Sequence, residues 1–117
     1  MRALRWARLE LKRAIQIDER YHGAGPLRVL GRLDHKAPRI LGGNRKRGRE
    51  LLDRALTITS SNTVTLMYAA ELALESGERD RASNLLQQVL ESPLDAEWEF
   101  ENDRDRERAR SLLNSLG

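Results

Sequence analysis

The sequence contains no cysteine, and aromatic residues make up only 4% of its 117 residues. The absence of cysteine excludes disulfides, thiolate metal sites and thiol nucleophiles. With so few aromatic residues, the core has to be built from Leu, Ala, Ile and Val, which is typical of packed helices and not of β-sandwiches or barrels. Hydrophobic residues at 39% and charged residues at 33% are compatible with one small domain that has a modest core.

Long apolar segments are also lacking. No segment approaches the roughly 18 consecutive apolar residues that a membrane helix requires, so we expect no membrane span in this chain. The first residues, Met-Arg-Ala-Leu-Arg-Trp-Ala-Arg, are charged throughout and do not form the apolar core of a signal peptide. A signal for export would lie upstream, and the chain would then be the C-terminal part of a longer protein.

The charges are unevenly distributed along the chain. Residues 1–50 carry 14 Lys/Arg and 5 Asp/Glu, a net charge of +9, whereas residues 51–117 carry 7 and 13, a net charge of −6. These halves could be solvated faces of a helical stack, a basic docking end, or complementary surfaces of a homo-oligomer. Nucleic acid is not expected as a partner, because the basic residues are not interleaved with aromatic stacking residues.

An internal repeat of 34 residues predicts the fold. Gly43 and Gly77 are 34 residues apart, and the same offset relates Leu52 to Leu86. Leu51, Ala55 and Leu56 map in the same way onto Leu85, Val89 and Leu90, and Gly48 maps onto Ala82. These positions follow the spacing of three and four that marks the buried face of a helix. Thirty-four residues is the period of the tetratricopeptide (TPR) repeat, which contains one helix–turn–helix.

Hydrophobic spacing and turn residues predict helices over residues 2–17, 26–35, 44–59, 62–75, 78–91 and 96–115. We therefore expect an all-α fold of TPR-like helical hairpins stacked in a short right-handed superhelix, forming a single α-solenoid domain over residues 1–117. The first helix resembles the second helix of a hairpin whose partner is absent, so its apolar face has to be covered. Trp6 and Trp98 are expected in the core or at its ends, and the polar residues 101–106 are expected to be solvated or frayed.

The stretch of residues 21–43 is the most distinctive part of the chain. Gly25 and Pro26 should turn the chain and start a short helix that stops before Pro38. Its leucines should face inward, which leaves Arg28, Arg32 and Arg39 pointing outward or lining a groove.

Several residues of this stretch resemble the signature of the TRAP transporter T-component family, and the resemblance extends over residues 7–90. They are Tyr21, Gly25-Pro26, Arg28, Leu30-Gly31, Pro38 and Gly42-Gly43, followed by Ala55-Leu56. The resemblance implies a TPR-like periplasmic lipoprotein that pairs with the solute-binding subunit of a tripartite carboxylate transporter. Three positions differ from the family pattern: Ala24 stands in place of a glycine, Asn44 in place of an acid, and Gly48 in place of an alanine.

We predict a non-catalytic protein–protein interaction scaffold, which the resemblance makes an accessory component of a TRAP-type carboxylate transporter that docks the solute-binding subunit. The alternatives are a generic TPR self-assembly or adaptor module, and a carrier that holds an organic acid or lipid. Arg28 is expected either to pair with an acid of its own chain or to contact a carboxylate ligand or a partner. The candidate binding residues are Tyr21, His22, Arg28, Arg32, Arg39, Asn44 and Arg45. The compartment is periplasmic if the resemblance holds and cytoplasmic otherwise.

No enzyme activity, cofactor or metal is expected. The glycines are not followed by the Gly-Lys-Ser/Thr of a phosphate loop. The two histidines, His22 and His35, are 13 residues apart and do not have the spacing of metal ligands on a helix. The serines have no histidine nearby in the sequence that would activate them as nucleophiles.

Overall fold

A computed structural model describes residues 2–18, 21–93 and 98–116, and the described residues contain no β-strand. The chain is divided into two compact units, Met1–Thr59 and Ser60–Gly117. The first unit contains α1 (Arg2–Ile17), α2 (Tyr21–Lys36), a 3-10 helix (Arg39–Leu41) and α3 (Arg45–Ile58). The second unit contains α4 (Thr63–Glu75), α5 (Arg79–Glu91) and α6 (Glu99–Leu116). The all-α prediction is confirmed, whereas the TPR superhelix and the single solenoid domain stay predictions.

Local sequence signals account for the ends of the middle helices. The side chain of Asn62 caps α4 by accepting a hydrogen bond from the backbone N–H of Thr65 at 3.1 Å. At the other end, Gly77 adopts a left-handed φ of 76°, and the N–H of Glu78 then donates to the carbonyl of Ala73 at 2.8 Å. The predicted bounds of α3, α4 and α5 are confirmed to within one residue.

Helix α2 packs against both α1 and α3 in the first unit. Ala24, Leu27 and Ala55 form a buried cluster, and Ile15, Leu51 and Ile58 pack around it. The helices α2 and α3 approach closely at Gly48, where an added Cβ would lie 2.9 Å from the carbonyl oxygen of Gly31. This contact explains why Gly48 occupies a position where alanine would favour the helix, since a methyl group would push the two backbones apart.

The predicted start of α2 at Pro26 is wrong, because the helix begins at Tyr21 and includes Pro26. The expected turn is present as a local distortion within the helix. Ala24 adopts a left-handed φ of 64° two residues before Pro26, whose ring carries no N–H for the helical ladder. Ala24 is fully buried, so the position at which a glycine was expected does require an unusual backbone conformation.

In the second unit, α4 packs against α5 and α6, and α5 also packs against α6. The helices α3 and α5 begin at Arg45 and Arg79, which are 34 residues apart like the repeat in the sequence. The equivalent residues Leu52 and Leu86 are both buried, as are Ala55 and Val89. The repeat therefore marks the buried face of each of these two helices.

The polar start of α6 is solvated only in part, because Asp103 and Arg104 are exposed as predicted whereas two other residues of the segment are buried. Asn102 and Asp105 are buried, and Thr63 of α4 donates a hydrogen bond from its hydroxyl to Oδ1 of Asn102 at 2.8 Å. Ala109 is buried on the same helix, because positions 102, 105 and 109 follow the helical period and share one face. The mean polarity of the segment concealed this face, since two of its three buried members are polar.

Helix α1 packs against α2, and Ala7, Leu11, Ala14 and Ile15 are half-buried. Trp6 does not lie in the core, one of the two places expected for it, because it is exposed together with Leu9 and Ile17. Trp6 is one position away from Ala7 and therefore points about 100° away from it around the helix. Trp98, just before α6, is half-buried.

The left-handed conformation of Ala24 generates a prediction. Ala24→Gly removes the cost of a left-handed alanine, about 1–2 kcal/mol. It also removes one buried methyl group, whose burial stabilises the fold by about 0.8 kcal/mol. We therefore expect the free energy of unfolding to stay within about 1 kcal/mol of the parent. Ala55→Gly, the same change at a buried alanine inside α3, should cost about 2 kcal/mol. Urea unfolding followed by circular dichroism measures both. An equal loss for the two variants would contradict the strain at Ala24.

The burial of Asp105 generates a second prediction. Burial raises the pKa of the Asp105 carboxyl, and the opposing effects of Thr63 and Arg104 are smaller. With a pKa raised in the folded state, the stabilising contribution is present below the ordinary pKa of an aspartate and is lost as the pH rises through the raised value. Asp105→Asn should therefore stabilise the second unit at neutral pH. It should also reduce the difference in the free energy of unfolding between acid and neutral pH. The control is Asp103→Asn, at an exposed position of α6, and an equal effect of both changes would refute this account.

Candidate functional site

The carboxylate of Asp34, near the end of α2, is completely buried and is bound by two arginines from two other helices. Arg47 of α3 donates from Nε to Oδ2 at 2.8 Å and from Nη2 to Oδ1 at 2.9 Å. Arg8 of α1 also donates to Oδ1 through Nη1. A planar guanidinium that meets both oxygens of a carboxylate forms the strongest kind of ion pair in proteins. We call Asp34, Arg8 and Arg47 the Asp34 network.

The Asp34 network also holds the loop of residues 37–44 between α2 and α3, here called the α2–α3 loop. Arg8 and Arg47 both donate to the carbonyl oxygen of Gly42, at 3.0 and 2.8 Å. The backbone N–H of Asn44 donates to the carbonyl oxygen of Asp34 at 2.9 Å. The hydrogen bond to Asp34 raises the pKa of the Arg47 guanidinium, with desolvation opposing the rise and the charge of Asp34 adding to it. The end of the loop nearest α3 is therefore held at Gly42 by two arginines and at Asn44 by the backbone of α2.

Local interactions give the α2–α3 loop a compact shape. The N–H of Gly43 donates to the carbonyl of Pro38 at 3.0 Å, and a Cβ on Gly43 would lie only 1.8 Å from the carbonyl oxygen of Ala37. Only glycine fits such an approach of backbone to backbone. Asn44 then starts α3, because its side chain accepts a hydrogen bond from the backbone N–H of Arg47 at 3.0 Å.

The fixed loop exposes an apolar side chain among basic residues. Ile40, in the 3-10 helix, is 89% exposed, and its neighbour Arg39 is exposed as well. Beside them lies a groove of about 440 Å³, which we call the basic groove. Its lining residues come from the end of α2, the α2–α3 loop and the start of α3: Asp34, His35, Lys36, Ala37, Pro38, Arg39, Gly43, Asn44, Arg45 and Lys46.

A comparison with known protein families identifies the kind of protein that carries this loop. Residues 1–116 match the family model described as the TRAP transporter T-component. The chain belongs to the TRAP transporter T-component family. No curated protein and no solved structure was found to match it.

In this T-component, three of the seven candidate residues meet at one place. Arg39, Asn44 and Arg45 all line the basic groove. Arg32 is half-buried and is not among the lining residues. The side chains of Tyr21 and His22 lie outside the part of the chain that the structure describes.

Arg28 was expected to point outward or to line a groove, and the outward alternative is wrong, because Arg28 is only 7% exposed. Helix α2 is contacted by α1 and by α3, so few of its positions reach solvent. Arg28 nevertheless has an interaction partner within the chain. The expectation of an outward Arg28 failed because the sequence does not show how many neighbours a helix has.

The Asp34 network and Ile40 were missed by sequence reasoning. A usable signal was present, since Asp34 is the only acidic residue between Arg20 and Glu50, a segment that otherwise contains eight Lys or Arg residues. A single acid among so many cations is expected to form ion pairs. Which of the arginines bind it could not be predicted, because Arg8 lies 26 residues away in the sequence.

Two other functional features are absent from the described residues. No group of three or more His, Cys, Asp or Glu side chains in this part of the chain could hold a metal ion. Of the helices described, none is long and apolar enough to cross a membrane.

The Asp34 network generates a prediction about stability. Asp34→Asn removes the charge that Arg8 and Arg47 bind, and we expect the first unit to lose about 2–4 kcal/mol of unfolding free energy. The control is Asp53→Asn. Asp53 forms a half-exposed pair with Arg49 at 4.0 Å, so this change should lower the free energy of unfolding by less than about 0.5 kcal/mol. Hydrogen exchange at residues 37–44 should also become faster in Asp34→Asn. Unchanged exchange in the loop would show that the network does not hold it.

Proposed function

We propose that the chain is a non-catalytic accessory component of a TRAP-type carboxylate transporter, and that it docks the solute-binding subunit of that transporter outside the cytoplasm. Its membership of the T-component family supports a role in the transporter. The observation that carries the docking proposal is the α2–α3 loop, which exposes Ile40 on a backbone held by the Asp34 network. The TPR-like scaffold is part of the same proposal.

The α2–α3 loop has the properties of an interface anchor. Most binding energy at protein interfaces comes from a few side chains that are buried on binding and surrounded by polar residues. Ile40 would supply the apolar anchor, and its exposed neighbour Arg39 a polar residue beside it. Because the loop is already held at Gly42 by hydrogen bonds from Arg8 and Arg47, less conformational entropy is lost when a partner binds.

The charge of the first unit indicates what the partner surface should be like. Residues 1–50 carry a net charge of +9, so an acidic surface with an apolar pocket would be complementary to the loop. Such complementarity mainly accelerates association and makes it sensitive to salt. We therefore propose that the solute-binding subunit presents acidic residues around a pocket for Ile40.

Self-assembly is the second candidate function, and it has an observation of its own. Phe100 is exposed at the start of α6 beside the exposed acids Glu99 and Asp103. Trp6 is exposed on α1 beside the exposed Arg5. Phe100 thus has acidic neighbours and Trp6 a basic one, and such a pair of exposed aromatic residues is suited to a contact between copies of the chain.

Substitution of Ile40 tests the docking proposal. We expect Ile40→Ser to weaken binding of the solute-binding subunit of the same transporter about tenfold or more, because the change removes the apolar anchor. The matched control is Ile17→Ser, since Ile17 is 80% exposed on α1 and should change the affinity by less than about twofold. Surface plasmon resonance or calorimetry with the purified subunits measures both variants.

The outcomes separate the two candidates. If the solute-binding subunit does not bind the parent chain, or binds both variants equally, the docking proposal is wrong. Analytical ultracentrifugation at low and high salt tests self-assembly in the same samples. Oligomers that dissociate at high salt and on Phe100→Ser, without binding of the solute-binding subunit, would favour self-assembly.

A further inference from the structure

Helix α1 has apolar residues on two of its sides. On one side it packs against α2, and its half-buried Ile15 contacts the buried cluster of the first unit. On the other side, Trp6, Leu9 and Ile17 are 66%, 59% and 80% exposed. The apolar side of a helix is normally buried, and a group of exposed apolar residues is typical of an interaction site. The exposed side of α1 is therefore suited to a contact with another molecule.

Two exposed charged residues, Glu10 and Arg13, lie between these apolar residues. At about 100° per residue, the five positions fall within an arc of about 100° around the helix. We call Trp6, Leu9, Glu10, Arg13 and Ile17 the α1 stripe. The ends of the stripe, Trp6 and Ile17, are centred between residues 11 and 12. Glu10 and Arg13 are centred on the same point, so the stripe has an apolar residue at each end and opposite charges in the middle.

This order is complementary to itself when the direction of the helix is reversed. In two antiparallel copies of α1, related by a twofold axis at the shared midpoint, Trp6 of each copy lies level with Ile17 of the other. Glu10 of each copy lies level with Arg13 of the other, so the centre of the contact holds two acids and two bases. A parallel pair in register would instead place each charge level with a charge of its own sign. The charges therefore favour the antiparallel pair.

From this symmetry we infer that the α1 stripe binds a second copy of the chain, as an antiparallel, twofold-symmetric pair of α1 helices. Trp6 and Ile17 would supply the apolar contacts at both ends, and a tryptophan is among the residues that contribute most at interfaces. The four charges of Glu10 and Arg13 in the two copies would fix the direction and the register of the helices.

The contact is small, because each copy contributes one helix. Small specific interfaces bury about 1,200 Å² or less, so we expect a reversible dimer with a dissociation constant in the micromolar range. This pairing goes beyond the docking at Ile40, which uses the α2–α3 loop. It also differs from the self-assembly of the second candidate function, since it does not involve Phe100 of α6.

Exchange of the two central charges tests the inference. Sedimentation equilibrium of the purified chain over a series of concentrations measures the dissociation constant of the dimer. Glu10→Arg would gather four bases at the centre of the contact, and Arg13→Glu would gather four acids. Each single change should therefore weaken the dimer about tenfold or more.

The double variant, Glu10→Arg with Arg13→Glu, has the same net charge as the parent and again places each acid level with a base. It should dimerise with a dissociation constant within about threefold of the parent value. The two single variants should also form a heterodimer when they are mixed, although neither associates with itself. Circular dichroism of each variant checks that the helices are intact.

Matched controls separate the α1 stripe from general effects. Lys12→Glu makes the same charge change as Arg13→Glu at an exposed position of α1 that lies about 100° away around the helix, outside the stripe. It should change the dissociation constant less than about twofold. Ile17→Ser should weaken the dimer about tenfold, whereas Ile40→Ser, at an isoleucine that is 89% exposed on the α2–α3 loop, should leave it unchanged.

Three results would overturn the inference: a chain that stays monomeric at every concentration, equal weakening by Arg13→Glu and Lys12→Glu, or a double variant that does not regain the dimer. A dimer that is lost on Phe100→Ser and kept in Glu10→Arg would assign the contact to α6 and would also overturn it. None of these measurements contains the solute-binding subunit. The dimer can therefore fail while docking at Ile40 holds, and docking can fail while the dimer holds.

Discussion

A carboxylate that is removed from water has to be compensated by charge and by hydrogen-bond donors, and in the first unit this requirement joins three helices. Asp34 lies on α2, Arg8 on α1 and Arg47 on α3, and the two arginines also hold the carbonyl of Gly42. The geometry of the α2–α3 loop follows from this arrangement. The two arginines that compensate the charge of Asp34 also bind the carbonyl of Gly42, shortly before α3 begins. A buried ion pair contributes more to specifying one arrangement than to net stability.

The second unit buries polar groups in a different way. Thr63 and Asn102 share a hydrogen bond between α4 and α6, whereas Oδ2 of Asp105 and Nδ2 of Asn102 have no hydrogen-bond partner among the described residues. An ion pair at 3.3 Å between Arg108 and Glu71 adds a contact at the surface of the same two helices. The contact of α6 with α4 thus combines the burial of Ala109 with polar groups that are only partly satisfied. The stability of this contact therefore depends on the protonation of Asp105, whose pKa is raised by burial.

The functional proposals rest on the contrast between a rigid support and an exposed loop. Binding residues are often found on loops that a scaffold positions, and the α2–α3 loop of this T-component is held at Gly42 and Asn44. Ile40 is exposed on one part of it, and the basic groove lies beside another. The loop can therefore offer an apolar anchor to a protein, on a backbone that the Asp34 network holds at Gly42.

Much of the helical structure could be predicted from the sequence, because helix periodicity and capping are local. The spacing of Leu52 and Ala55, the caps at Asn44 and Asn62 and the turn at Gly77 act within a few residues, and each predicted helix end near them was confirmed. The resemblance to the T-component family was also readable from the sequence, and the match over residues 1–116 confirms it. Arg39, Asn44 and Arg45 could be named as candidates for a similar reason, since they follow the prolines and glycines of a loop; they line the basic groove, and their role in binding stays a prediction.

Only the tertiary structure decided which polar groups are buried and which apolar groups are exposed. Arg28, Asn102 and Asp105 are buried although their types favour solvent, while Trp6 and Ile40 are exposed although theirs favour a core. The physical reason is that burial depends on which other helices cover a position, and these contacts join residues far apart in sequence, such as Arg8 and Asp34. Composition and local spacing determined the helices of this protein, whereas packing at a distance determined its ion-pair network, its loop and its groove.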